Sequence, residues 1–132
     1  MIDESETQTT ASRALAISSK AAQCGFDWNC PEDVLDKLVE EIGEIREALH
    51  NHDTIDHICE EVGDLYFALV NFNRKMQIDS DSAFLRGVTK FERRYQALEA
   101  LIHQSGRQTS DLSQDELELV WQQVKQGERN GR

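Results

Sequence analysis

The chain has 132 residues, 14 Lys+Arg against 25 Asp+Glu, and a formal net charge of -11. A chain this long buries roughly two-thirds of its unfolded surface around one core, which leaves room for one domain and no second. A balance this acidic excludes nonspecific nucleic-acid binding and docking on anionic membranes, because both need clustered Lys and Arg.

The acidity has two readings. Acidic residues on solvated helix faces keep a protein soluble; alternatively, some of them hold a metal ion that meets a phosphate-bearing ligand. Their placement decides. Cys24, Cys30 and Cys59 are odd in number and form no CxxC pair, which suits a reducing compartment. No run approaches the ~18 to 20 apolar residues of a membrane span. Met1 to Thr10 is acidic and polar, unlike a signal peptide. The expectation is a cytoplasmic protein, with residues 1–10 a disordered segment and 11–128 the domain.

One proline, few glycines and no alternating apolar run point to an all-α chain. Ala11 to Cys24 reads as a first helix, closed by the turn Gly25-Phe26-Asp27-Trp28-Asn29. Pro31 suits a first helical position, and Glu32 and Asp33 suit the positive end of the helix that follows. That second helix runs from about Glu32 to Leu49 with an apolar stripe of Leu35, Leu38, Ile42, Ile45 and Leu49. The third, about Thr54 to Met76, carries Ile55, Ile58, Val62, Leu65, Leu69, Phe72 and Met76 at the same helical spacing. Only His50 to Asp53 separate them, so the two form an antiparallel hairpin. A fourth helix spans about Asp81 to His103, and Ser113 with Glu116 has capping-box spacing at the start of a last short helix. The architecture is a small helical bundle of about five helices.

Within the hairpin, Glu41 and Glu44 are three apart, as are Glu61 and Asp64, so each pair shares a helix face. At ~100° per residue the first pair lies roughly 80° and 140° to the lagging side of its apolar stripe, and the second roughly 70° and 130° to the same side. In an antiparallel pair, equal lagging offsets fall on one flank. The heights along the hairpin differ by only ~3 Å. Four carboxylates therefore converge, and without a cation they would repel and raise their own pKa values. Oxygen-only ligands favour a hard ion, Mg²⁺ or Mn²⁺, over zinc; two ordinary solvated faces remain the competing reading. Gly43 and Gly63 lie inside these pairs, marking either a close approach or tolerated positions. His50, His52 and His57 complete no zinc-type set and read as loop and surface residues.

At these residues the sequence resembles the MazG family of nucleoside triphosphate pyrophosphohydrolases. The matching segments are GFDW (Gly25 to Trp28), KLVEEIGE (Lys37 to Glu44), EEVGDLYFALVN (Glu60 to Asn71), KFERRY (Lys90 to Tyr95) and WQQVK (Trp121 to Lys125), in the family's order. The likeness is greatest to the C-terminal domain of two-domain members. It implies an all-α NTP pyrophosphatase fold carrying ExxE and ExxD on a hairpin. It also implies Mg²⁺-dependent cleavage of a nucleoside triphosphate to the monophosphate and pyrophosphate, with Glu41, Glu44, Glu61 and Asp64 as metal ligands. Lys90 and Arg94 share a helix face and match the cations that hold the pyrophosphate portion, or else are surface residues paired with nearby acids. Trp121 and Lys125 belong by resemblance to an element that closes over the nucleotide, with simple core packing as the other reading of Trp121. Asn71 reads as a sugar or phosphate contact, or as packing; Trp28 lines the base pocket, or anchors its turn. The general base is unassigned. Family members assemble as dimers, so a homodimer is expected. The alternatives are a catalytically idle helical dimerisation or protein-interaction module, or the same chemistry on a modified nucleotide or alarmone.

Overall fold

The computed structural model describes residues 8–131. Among these there are five α-helices and no strand: α1 (Thr10–Gln23), α2 (Pro31–His50), α3 (Ile55–Lys75), α4 (Ser80–Gln104) and α5 (Gln114–Asn130). The expected helices all form, with ends within about two residues of expectation. The last helix, expected to be short, runs 17 residues, and a 3₁₀ turn at Thr109–Asp111 precedes it. The segment expected to be disordered falls largely on residues 1–7, outside the described residues. Thr9 already caps α1, its hydroxyl oxygen accepting from the Ser12 N–H at 3.0 Å.

The chain divides into two compact units, Met1–Ala83 and Phe84–Arg132, with α4 beginning in the first and continuing in the second. In the first unit α2 and α3 form the expected hairpin, and α1 packs against α3. Local chemistry sets the joints. Gly25 takes φ +89°, a left-handed turn that costs glycine nothing, and Pro31 opens α2 with Glu32 and Asp33 behind it. Thr54 starts α3 by accepting the His57 N–H at 3.2 Å. In the second unit Leu98, Ile102 and Val124 form a buried cluster, with Leu112, Leu117, Val120 and Trp121 packed around it. Ser113 and Glu116 make the expected capping box reciprocally, at 3.2 and 3.0 Å.

The helix faces that pack differ from expectation. On α2 the buried positions are Val34, Glu41 and Ala48, while Leu35, Ile42 and Leu49 of the expected stripe are exposed. On α3 the buried positions are Ala68, Val70, Asn71 and Asn73, while Ile55, Leu69 and Met76 are exposed. Leu38 and Ile45 of α2 and Ile58, Val62, Leu65 and Phe72 of α3 are half-buried, so the expected stripes are covered in part. Glu41, one position before Ile42, is carried inward.

The Thr54 cap is testable. Thr54→Ala should lower stability by about 1 kcal/mol and Thr54→Ser by much less, read as urea midpoints with the hairpin's helical circular dichroism as signal.

Candidate metal centre

The hairpin brings three of the four expected carboxylates together. Glu41, Glu61 and Asp64 each offer an oxygen, and these atoms all lie within 4.8 Å of one another. The three positions differ in exposure. Glu41 is 6 % exposed, Glu61 is half-buried and Asp64 faces solvent. Glu44, exposed and outside the tight trio, still acts on it. The Glu61 carboxyl is held above its ordinary range, first by burial and then by the charge of Glu44, with Asp64 and Glu41 adding to the same effect. Three negative groups thus press on one carboxyl, as the helical geometry predicts. The donors are all oxygen, and a cluster open to solvent on one side suits a hard divalent cation. The residues present therefore fit a divalent metal.

Two neighbours were legible in the spacing but not singled out as site residues. Lys37, one turn before Glu41, reaches it at 3.1 Å and Glu40 at 3.1 Å. The pairing with Glu40, and then with Glu41, raises the Lys37 pKa. The buried carboxylate therefore has a resident cation on one side. His57, one turn before Glu61, places Nε2 at 3.6 Å from Glu61 and 3.7 Å from Asp53. An Xaa-to-Glu interval of four on each helix was the available signal. Gly43 and Gly63 need no glycine for space, since a Cβ at either meets nothing within 4 Å.

The expected substrate residues divide between the units. In the first, Trp28 is half-buried and follows Asp27 in the Gly25–Trp28 turn, and Phe26 at its tip is 83 % exposed. These four residues line a concavity of about 300 Å³. Asn71 does not face open space. It is 1 % exposed, its amide nitrogen donates to the Phe67 carbonyl at 3.0 Å, and its oxygen accepts from Arg74 at 3.2 Å. It is a brace within the fold, the packing side of its two readings.

Arg74 in turn grips Asp27 through both terminal nitrogens. Lys75 donates to Asp27 at 3.2 Å and to the Trp28 carbonyl at 2.7 Å. The Arg74 guanidinium above all, with Lys75 and the Trp28 N–H assisting, holds the Asp27 carboxyl down to about 2 from an ordinary 3.8 against the opposing effect of burial. Arg74 Nε is buried without a partner among the described residues, a cost that this double contact offsets.

In the second unit Lys90 is exposed on α4 and Lys125 is half-buried on α5. Arg94 pairs with Glu128 at 3.0 Å and Arg93 with the same carboxylate at 3.3 Å, and the two guanidiniums lower the Glu128 pKa. Trp121 is half-buried against the apolar cluster, and its ring centroid lies 5.4 Å from that of Phe91. Packing therefore accounts for much of its indole surface.

Residues 30–98 match the MazG nucleotide pyrophosphohydrolase domain. The chain is 36% identical over 117 residues to the nucleoside triphosphate pyrophosphohydrolase/pyrophosphatase MazG of Thermotoga maritima, covering 89% of this chain and 44% of that protein. It is likewise 36% identical over 117 residues to the nucleoside triphosphate pyrophosphohydrolase of Escherichia coli strain K12, covering 88% of this chain and 44% of that one. The chain thus spans less than half the length of these relatives.

Two outcomes follow. Mg²⁺ or Mn²⁺ at about a hundred times its Kd should stabilise the protein by ~2.7 kcal/mol, and Glu61→Gln should remove most of that gain in thermal melts. Asp27 sets a second, acid-side limit. Above its ordinary value of 3.8 the paired carboxylate contributes fully, and that contribution is lost as pH falls toward about 2. Asp27→Asn should therefore be less stable than the parent at pH 7, and the difference should close between pH 4 and 2.

Proposed function

The chain belongs to the MazG nucleotide pyrophosphohydrolase family, and on that premise we propose that it hydrolyses nucleoside triphosphates to the monophosphate and pyrophosphate. The observation that carries this reading is the carboxylate trio of Glu41, Glu61 and Asp64, with Glu44 pressing on its central member. Such a cluster in a chain of net charge -11 has no use for an anionic substrate unless a cation intervenes.

The four acids would hold the ion, and Mg²⁺ is the proposed one, with Mn²⁺ accepted on the same oxygen donors. When bound, the ion neutralises phosphate charge and lowers the pKa of a water for attack at phosphorus. The rest falls to the chain. Glu41, fixed between the helices and paired with Lys37, gives the site one ligand that cannot drift. Asp64 and Glu44, exposed, can adjust to substrate. On the resemblance of KFERRY and WQQVK, Lys90, Arg94, Trp121 and Lys125 are proposed as nucleotide contacts, Arg94 exchanging Glu128 for the stronger bidentate anion. The ring face of Trp28 is assigned to the base; stacking is tolerant of base identity, as a nucleotide-pool enzyme requires. Water attack breaks the bond between the α and β phosphates, and pyrophosphate leaves.

The exposed apolar residues Leu35, Val39, Ile42 and Leu49 of α2 form a face that water alone would cover poorly. We assign it to a second copy of the chain, so that the working form is a homodimer. Among the described residues no helix is long and apolar enough to cross a membrane. The three free thiols Cys24, Cys30 and Cys59 suit the cytoplasm as the proposed location.

Pyrophosphate release from a panel of triphosphates, including modified nucleotides, with Mg²⁺ present tests the reading. Release is expected from at least one substrate, falling by roughly a hundredfold or more in Glu41→Gln and Asp64→Asn as the ligand set is cut. No release, or equal release from the variants, would refute it.

A further inference from the structure

We propose that Asp27 is a positioning residue for nucleotide binding: by clamping the end of the Gly25–Trp28 turn to Arg74 and Lys75, it holds Trp28, beside the helix-capped Phe26, as a fixed platform for the ring of the nucleoside. The proposal rests on the pyrophosphohydrolase reading and adds to it a residue outside the metal cluster and outside the basic segment.

The end of α1 holds the start of the turn: the Gly25 N–H donates to the Ala22 carbonyl at 3.0 Å and the Phe26 N–H to the Ala21 carbonyl at 2.9 Å, with Gly25 at a left-handed φ of +89°. Phe26 is 83 % exposed, so apolar burial adds little there. Beyond Phe26 side-chain contacts fix Asp27 and Trp28, and they form a continuous chain. The Phe67 carbonyl of α3 accepts from Asn71, Asn71 accepts from Arg74, and Arg74 forks onto Asp27. Lys75 closes the loop by bonding both the Asp27 carboxylate and the carbonyl of Trp28 itself. Asp27 also accepts the Trp28 N–H at 2.8 Å. The backbone of the tryptophan is thus held on both sides, by its own N–H and by its own carbonyl.

The result is a short segment pinned at 47 and 48 residues' separation in sequence by one carboxylate that takes two cations. Its depressed pKa shows that the charged form is strongly preferred there. Beside it lies the concavity of about 300 Å³ bounded by Gly25, Phe26, Asp27 and Trp28, at the lower end of small-ligand sites. A rigid aromatic platform binds a flat ring with less entropy lost on association than a mobile one. The clamp is therefore felt by the ligand's base and not by its phosphates.

The test compares two ligands on the same preparation in Mg²⁺: an α,β-methylene nucleoside triphosphate and inorganic tripolyphosphate, which has no base. Asp27→Asn and Lys75→Met are two independent cuts in the clamp. Each should raise the nucleotide Kd by roughly five- to twentyfold, the lower part of what one base–aromatic stack contributes, and change the tripolyphosphate Kd less than about twofold. Taking the ratio within one sample cancels any loss of folded protein. Equal weakening of both ligands, no change in either, or failure of both variants to fold would mark the contact as structural only and overturn the proposal. A parent protein that binds neither ligand would refute the pyrophosphohydrolase reading itself.

Discussion

The mutual repulsion of acids on two adjacent helices is the constraint on which the rest of the chain depends. Burying Glu41 between α2 and α3, with Glu61 and Asp64 oxygens within 4.8 Å, opposes folding unless something positive answers it. Lys37 answers part of it. The remainder, expressed in the raised Glu61 pKa, is left for a ligand to relieve. A hairpin selected for stability alone would place an apolar residue at position 41, as it does at Val34 and Ala48 in the same line. The departure from that pattern is the mark of function.

The buried residues of α2, Val34, Glu41 and Ala48, each lie one position before an exposed one, Leu35, Ile42 and Leu49. The buried carboxylate and the exposed apolar face that we assign to a second copy are therefore neighbours on one helix. The overall charge gains meaning on the same grounds. Of 25 acidic residues, four account for the proposed metal site and Asp27 for the clamp, and most of the remainder suit a solvated surface.

Much of this was legible in the sequence. Helix order, the Pro31 start, the Ser113–Glu116 cap and the approach of Glu41 to Glu61 and Asp64 all follow from short-range spacing, which a helix converts directly into position. The packing faces were not. A stripe of Leu35, Ile42 and Leu49 is the more hydrophobic one, yet the neighbouring stripe of Val34, Glu41 and Ala48 is buried, because close approach and partner surfaces are properties of the fold and not of hydropathy. Asn71 gave no sign that its amide is committed to Phe67 and Arg74. The Asp27 clamp joins residues 47 and 48 apart, a relation that no local pattern encodes. His57 and Lys37 are within reach of the i,i+4 rule, each one turn before a carboxylate of the trio.

If the hairpin acids hold a divalent ion together, crystals grown with Mn²⁺ and measured for its anomalous scattering locate that ion directly. A peak is expected between the carboxylates of Glu41, Glu61 and Asp64, within reach of Glu44. A peak elsewhere, or none at these residues in well-occupied crystals, would contradict it.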